Sequence, residues 1–245
     1  MSNVTKVAPI KKAILLSAGF GTRLKPITNN IPKCLVPINQ TPLLQIWLEQ
    51  LSKVGFSEFL INTHYLPEQV YQFIQNSPFK DQITTFHEEE LLGTLGTLKA
   101  TKAFWCDSDV LIAHADNLCI CDWASFITRF NERRENCLGS LMLFKTDSPQ
   151  SCGIVELDDT HCVIAFHEKI ENPPSNLANA AVYLFDQRVN TLLSTLTDDE
   201  TDISYHLMPY LMNKVNGWEN KEYMRDIGTP ESLEIANNEA FIWLK

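Results

Sequence analysis

Leu16-Ser17-Ala18-Gly19-Phe20-Gly21-Thr22-Arg23-Leu24 is the stretch that decides the fold. The apolar run Ala13-Ile14-Leu15-Leu16 feeds directly into a loop with two glycines, a hydroxyl and an arginine. Such a strand-to-loop junction suits phosphate: glycine lets backbone N–H groups approach closely, and arginine adds charge and a forked donor. Two spaced glycines are also what turn geometry asks of many loops, so the motif needs company to mean more. It is not a dinucleotide fingerprint, because Leu24 stands where a third glycine belongs. Nor is it a Walker loop, which carries Lys and then Ser or Thr after its last glycine.

Outward from this loop, short β-rich runs alternate with amphipathic segments, the pattern of a parallel sheet covered by helices. Strands are expected at 12–17, 58–63, 83–87 and 109–114, and helices at 42–54, 67–75 and 96–104. Gly55 closes the first helix, and Pro67 opens the second at a favourable position. From about residue 138 the strands come closer together, at 138–145, 153–157, 162–168 and 179–185. These gaps are too short for helical crossovers throughout, so some pairs must be antiparallel. Helices return at 187–196, 205–215 and 230–244, the last with Thr229 as N-cap and Pro230 as first helical residue. The expected fold is α/β, a Rossmann-like mixed, mainly parallel sheet flanked by helices. One domain over 1–245 is expected, in two halves at about 10–137 and about 138–245.

With 245 residues and 44% hydrophobic content the chain has ample material for a continuous core. Its formal net charge of −10 argues against nucleic acid or a membrane surface as partner. Anionic small molecules remain open to it, since a few basic side chains and a divalent cation in one cleft hold phosphates on an acidic protein. Seven cysteines, mostly within apolar runs, fit reduced thiols in a cytoplasm. The one close pair, Cys119-Ile120-Cys121, lacks a second pair or a nearby His and reads as two thiols on one face of an extended segment. The N-terminal apolar stretch is too short for a signal peptide, and no run reaches the roughly 20 apolar residues of a membrane helix. The expected protein is soluble and cytoplasmic; a homo-oligomer is left open.

Ten residues beyond Arg23 lies Lys33, in Ile31-Pro32-Lys33-Cys34-Leu35-Val36-Pro37-Ile38. Prolines on both sides stiffen the backbone that carries it, which favours a placed cation over a solvated surface lysine. Together the two segments resemble the sugar-1-phosphate nucleotidylyltransferases, whose pattern runs G-x-G-T-R-L-x-P-x-T and then P-K-x-L-x-P-I. Residues 19–28 and 32–38 match it throughout. The resemblance continues at Leu92-Gly93-Thr94-Leu95-Gly96, Ala115-Asp116-Asn117, Cys152-Gly153-Ile154-Val155 and Phe166-His167-Glu168-Lys169. It extends through Asn179-Ala180-Ala181-Val182 and Arg225-Asp226-Ile227-Gly228-Thr229-Pro230-Glu231, in family order over nearly the whole chain.

The resemblance implies an enzyme that joins a nucleoside monophosphate from an NTP to a sugar 1-phosphate and releases pyrophosphate. It implies that Ala18, Gly19, Gly21, Thr22 and Arg23, with Gly93, bind the NTP, and that Lys33 neutralises charge at the α-phosphate. It places Mg²⁺ on Asp116 and Asp226, and the sugar phosphate on Gly153, Glu168, Lys169 and Asn179. Independently, Asp116 falls just past an apolar strand, where ligands of open α/β sheets bind, and paired carboxylates plus phosphates suit Mg²⁺. Each Asp taken alone is equally a turn or capping residue, and Glu168-Lys169 a strand-end ion pair. Ala115 and Ala181 replace glycines usual in the family, each adding a methyl group to the pocket.

For the base, the family position five before Gly93 is Glu88, within His87-Glu88-Glu89-Glu90. An acceptor-only carboxylate suits the N1–H and N2–H₂ donors of guanine better than uracil or thymine. A solvated acidic turn is the other reading of the run. The whole chain looks most like bacterial enzymes that activate mannose 1-phosphate or D-glycero-D-manno-heptose 1-phosphate with GTP. The rivals are a uridylyl- or thymidylyltransferase for another hexose or amino-sugar 1-phosphate, a non-catalytic nucleotide-sugar-binding regulator, and a cytidylyltransferase for an alcohol phosphate.

Overall fold

The computed structural model describes residues 10–243. Its first strand, β1 (Lys12–Leu16), is buried at every position after Lys12, as a strand in the middle of a parallel sheet must be. After it come β2 (Pro37–Ile38), β3 (Thr41–Pro42), α1 (Leu43–Lys53), β4 (Glu58–Thr63), α2 (Pro67–Asn76) and β5 (Ile83–His87). The chain continues through α3 (Gly93–Ala100), α4 (Lys102–Trp105), β6 (Val110–His114), β7 (Asn117–Ile120) and α5 (Trp123–Asn131). The second half supplies β8 (Gly139–Lys145), β9 (Gly153–Leu157), β10 (Val163–Glu168), β11 (Leu177–Phe185), α6 (Val189–Leu193), α7 (Met208–Leu211), β12 (Val215–Glu219), β13 (Tyr223–Asp226) and α8 (Pro230–Trp243).

The main sheet runs in the order β10-β9-β11-β6-β1-β4-β5, with β8 branching from β11 and carrying β12. β6, β1, β4 and β5 are parallel, and β11 joins β6 antiparallel, so the sheet is mixed around a parallel centre. Alternation along the strands feeds two cores. Ala13, Leu15, Phe59, Ile61, Leu111 and Ala113 face Trp47 and Leu51 of α1 and Phe126 and Phe130 of α5. Ile14, Leu16, Leu60, Val110, Ile112 and Tyr183 face Leu95 and Leu98 of α3 and the helices after β11. A third cluster of Leu24, Val36, Ile38, Leu43, Leu118 and Ile227, with Ala236 and Ala240 of α8, packs beneath the glycine loop and holds it to the body.

Most expected elements stand within a residue or two of their predicted limits, and β4, β5 and β9 coincide with them. The exceptions have physical causes. The helix expected at 205–215 is a π-helical turn, Ile203–Leu207, followed by α7. The chain then reverses through Asn213, whose φ is +62°, and Val215 opens β12 by pairing in parallel with Gly139. The helix expected at 96–104 starts at Gly93 and is broken at Thr101, and that expected at 187–196 shrinks to α6. β7, α5, β12 and β13 are additional. Cys119 and Cys121 are both buried while Ile120 between them is partly exposed, as an extended segment requires. Thr229 Oγ1 accepts the Ser232 N–H at 3.2 Å, capping α8 at its expected start; the expected end at Leu244 lies outside the described residues.

Candidate active site

β1, β4, β5 and β6 all end on one edge of the sheet, and the loops leaving them build the site, as the carboxyl edge of an open α/β sheet favours. Beyond β1 the Ser17 N–H donates to Asn62 Oδ1 at 2.6 Å, and Ser17 Oγ donates to the Asn62 carbonyl at 2.5 Å. The loop start is thereby pinned to the end of β4. Gly21 has φ +62°, and a Cβ on it would lie 2.9 Å from Thr28 Cγ2 and 3.2 Å from Lys33 Cβ. A side chain there would push the loop off the lysine. Lys33 itself is mounted in a tight turn after Pro32 and is followed by buried Cys34 and Leu35.

Only 6% of Lys33 is exposed. Its Nζ donates to Asp116 Oδ2 at 2.7 Å and to Asp226 Oδ1 at 3.1 Å, while Arg23 donates to Asp226 Oδ2 at 3.1 Å. A buried ammonium needs such partners, because desolvation alone costs several kcal/mol. Four residues singled out from sequence, spread over two hundred positions, therefore form one alternating charge cluster. Burial would raise the Asp116 carboxyl, but the Lys33 ammonium and His114 outweigh it and hold Asp116 below the ordinary carboxylate range. Burial pushes His114 down from its ordinary value, against the pull of Asp116 and Asp202.

Two cavities meet at His114 and Asp116 beside this cluster, and a wider one of about 1100 Å³ opens next to them on Arg23, Lys169 and Asp226. The first, of about 230 Å³, is lined by Ala18, Gly19, Asn62, Glu88, Gly93 and Thr97 among others. The second, of about 270 Å³, takes Gly153, Glu168, Lys169, Asn179, Ala181 and Asp226 into its wall. His114 and Asp116 line both. Arg23 and Lys33 line only the second, and Gly21 and Thr22 line neither, so the basic part of the glycine loop faces the junction and its start faces the first cavity.

Within the first cavity Glu88 differs from the carboxylate expected to be presented to a base edge. It is 2% exposed, and its Oε1 accepts from Asn62 Nδ2 at 2.8 Å and Thr97 Oγ1 at 2.5 Å. Its Oε2 accepts the Leu92 N–H at 3.0 Å. Three of the roughly four acceptor sites of a carboxylate are thus spent on the protein's own donors. Within the second cavity, Gly153 stands opposite Glu168 in the β9–β10 ladder. A Cβ at Gly153 would lie 2.6 Å from both Glu168 Oε2 and the Phe166 ring, so this glycine makes room for the carboxylate. Lys169, with φ +50°, sets its Nζ 3.3 Å from Glu168 Oε1. Asn179 sits at the bulge of β11, donating to Tyr183 Oη at 2.8 Å and accepting the Ala181 N–H at 3.1 Å. Burial pushes the Tyr183 phenol up to about 12, keeping it a neutral partner for Asn179.

His114, Asn62 and Asp202 line these cavities without having been singled out from the sequence. The signal for His114 was its place two residues before Asp116, since alternate residues of a strand share a face; that for Asp202 was its place in Asp202-Ile203-Ser204, a run that adds to the family resemblance, and Asn62 carried none. Among the described residues no three or more His, Cys, Asp or Glu side chains are grouped to hold a metal. The donor set is instead two hard carboxylates, which matches a small divalent ion that takes one or two protein carboxylates and completes its shell with phosphate and water.

The nucleotidyl transferase family profile matches residues 12–241. The bifunctional protein GlmU of Methanocaldococcus jannaschii is 31% identical over 231 residues, covering 92% of this chain and 53% of the relative. Mannose-1-phosphate guanylyltransferase of Mycobacterium tuberculosis is 29% identical over 226 residues, covering 90% of this chain and 62% of the relative. The chain thus spans between 53% and 62% of the length of these curated relatives. In fold, it matches the crystal structure of an apo UDP-glucose pyrophosphorylase with a TM-score of 0.81 at 20% identity, over 95% of this chain and 98% of the other.

Proposed function

The chain belongs to the nucleotidyl transferase family, and on that premise we propose that it transfers a nucleoside monophosphate from an NTP to a sugar 1-phosphate, releasing pyrophosphate. The observation that carries the reading is that two cavities of substrate size meet at His114 and Asp116, beside the Lys33–Asp226–Arg23 cluster. The first cavity takes the nucleoside, with Ala18, Gly19, Gly93 and Glu88 in its wall and Gly21, Thr22 and Arg23 leading toward the phosphates. The second takes the sugar phosphate, with Glu168 and Asn179 for hydroxyls, Lys169 for the phosphate, and Gly153 giving Glu168 its room. Residues of about 10–137 build the nucleotide half and residues from about 138 onward most of the sugar half.

The acceptor arrives as an anion, so alignment and charge neutralisation suffice without a general base. A sugar-phosphate oxygen forms a bond to the α-phosphorus as the bond to the pyrophosphate oxygen breaks on the opposite side. Lys33, buried and fixed by two carboxylates, stands ready for charge gathered on the α-phosphate, and Arg23 approaches from the solvent side. Asp116 and Asp226 would hold Mg²⁺, which would offset the charge of the phosphates. Seven free thiols and the acidic charge fit a reducing cytoplasm as the site of the reaction.

For the finer substrates we take GTP and a mannose- or manno-heptose-type 1-phosphate. The resemblance to a guanylyltransferase supports this, as does the acceptor site that the count leaves on Glu88 Oε2 for a base N–H. A second reading, UTP or dTTP with another hexose, draws on the three bonds Glu88 already makes inside the protein. Phosphorus NMR of products from each NTP against a sugar 1-phosphate panel separates them. A GDP-sugar is expected; a UDP- or dTDP-sugar keeps the transfer reading and removes Glu88 as a guanine selector.

A further inference from the structure

Helix α3 presents Gly93, Thr94 and Thr97 to the first cavity, whereas Asp202, Ser204 and Tyr205, about a hundred residues later, face the second. These two walls are bonded into one body. Thr94 Oγ1 accepts the Ile203 N–H at 2.9 Å. The N–H groups of Leu95 and Gly96 in the first turn of α3 both donate to the Thr201 carbonyl, at 2.8 and 3.3 Å. One turn on, Lys99 Nζ donates to the Thr197 and Glu200 carbonyls at 2.5 and 2.8 Å.

The first N–H groups of a helix normally go to a capping side chain or to water. Here the acceptor wall takes them, and at close range: Gly93 has φ +74°, and a Cβ on it would lie 2.5 Å from the Thr201 carbonyl oxygen. The 201–206 turn is itself stiff. Asp202 Oδ1 accepts the Tyr205 N–H at 3.0 Å, and His206 Nδ1 accepts the N–H groups of Thr201 at 3.1 Å and Asp202 at 3.0 Å. Its π-helical geometry is of the kind that gathers at functional sites.

We propose that Thr94 is a positioning residue that couples the two substrate sites, holding the 201–206 turn so that a nucleotide in the first cavity orders Asp202, Ser204 and Tyr205 for the sugar phosphate in the second. The inference rests on the reading of the cavities given above. Ile203 is 1% exposed, so its N–H has no water to replace the threonine, and loss of such a bond is worth about tenfold in an equilibrium.

Thr94→Val keeps the side-chain shape and removes the acceptor; Thr94→Ser keeps the acceptor. The expected result is a KM for the sugar 1-phosphate about tenfold higher in Thr94→Val, a Kd for the NTP within about twofold of wild type, and wild-type values in Thr94→Ser. Hydrogen exchange gives a readout independent of turnover: GTP with Mg²⁺ should slow the amides of 201–207 in wild type and Thr94→Ser but not in Thr94→Val. An unchanged acceptor KM in folded Thr94→Val, or protection of α3 without protection of 201–207 in wild type, overturns the coupling. Absence of turnover with every substrate pair would sink the transferase reading instead, while the wild-type exchange pattern still decides the coupling if Thr94→Val fails to fold.

Discussion

Lys33 and Ala181 show two kinds of residue whose neighbours matter more than their chemistry. Lys33 belongs to the P-K-x-L-x-P-I run, and it ends buried between two carboxylates. Replacing it with Met should leave a folded protein with kcat lower by about 10²–10³-fold, the range for removing one preorganised electrostatic group; pyrophosphate release alongside circular dichroism checks both halves. Ala181 adopts φ +54° in the wall of the second cavity. Read from sequence, it added a methyl group to the pocket; in the structure it also stores backbone strain, since left-handed geometry costs a non-glycine residue about 1–2 kcal/mol. Ala181→Gly should therefore raise the urea midpoint by an amount equal to about 1 kcal/mol, and a lower midpoint would contradict that account. The charge cluster was legible because motif and strand end both pointed to it. The enclosure of Glu88 was not, because its partner Asn62 lies 26 residues before it and Thr97 nine after it, and nothing in an acidic run reveals that a donor waits opposite.

Strands read more faithfully than the elements that follow them, for a reason visible in β11 and α7. β1, β4 and β6 carry unbroken apolar runs at 13–16, 59–61 and 110–113 because both faces are covered, and such runs announce themselves. The segment 205–215 carries helical spacing, but parallel pairing of Val215 with Gly139 claims its end for the sheet, a long-range contact no local pattern encodes. The edge of β11 shows a second such contact. Arg133 Nη2, at the end of α5, lies 2.6 Å from Asp186 Oδ2 and 3.1 Å from Asp109 Oδ2, and Arg188 adds a 2.7 Å bond to Asp186. Burial would raise the Asp186 carboxyl, but Arg188 and Arg133 draw it down to about 2. An unfolded Asp titrates near about 3.9, so the folded form is the stronger acid. Its stabilisation, about 2 kcal/mol, is complete above about pH 4 and is lost as the pH falls toward about 2. Asp186→Asn should cost about 2 kcal/mol at neutral pH by removing the nearer of the two carboxylates at Arg133 and leaving it Asp109, and should remove that component of the acid transition. Urea titrations at pH 7 and across the acid range measure both.

At the scale of the whole molecule, the protein carries a formal charge of −10 but gathers Arg23, Lys33 and Lys169 around one cavity. That cavity shares Asp116 and His114 with the first cavity, and it is at this seam that we place the transfer. Chelating divalent ions should abolish turnover without unfolding the protein, because Asp116 and Asp226 are paired with Lys33 and Arg23; a thermal melt with and without chelator checks this against activity. The most direct test of transfer at the seam is Mg²⁺-dependent pyrophosphate release from GTP and mannose or manno-heptose 1-phosphate, comparing wild type with Asp116→Ala. The account predicts release that requires both substrates, Mg²⁺ and Asp116, with the variant still folded. Undiminished release by Asp116→Ala, or none from folded wild type with any NTP and sugar 1-phosphate, would contradict it.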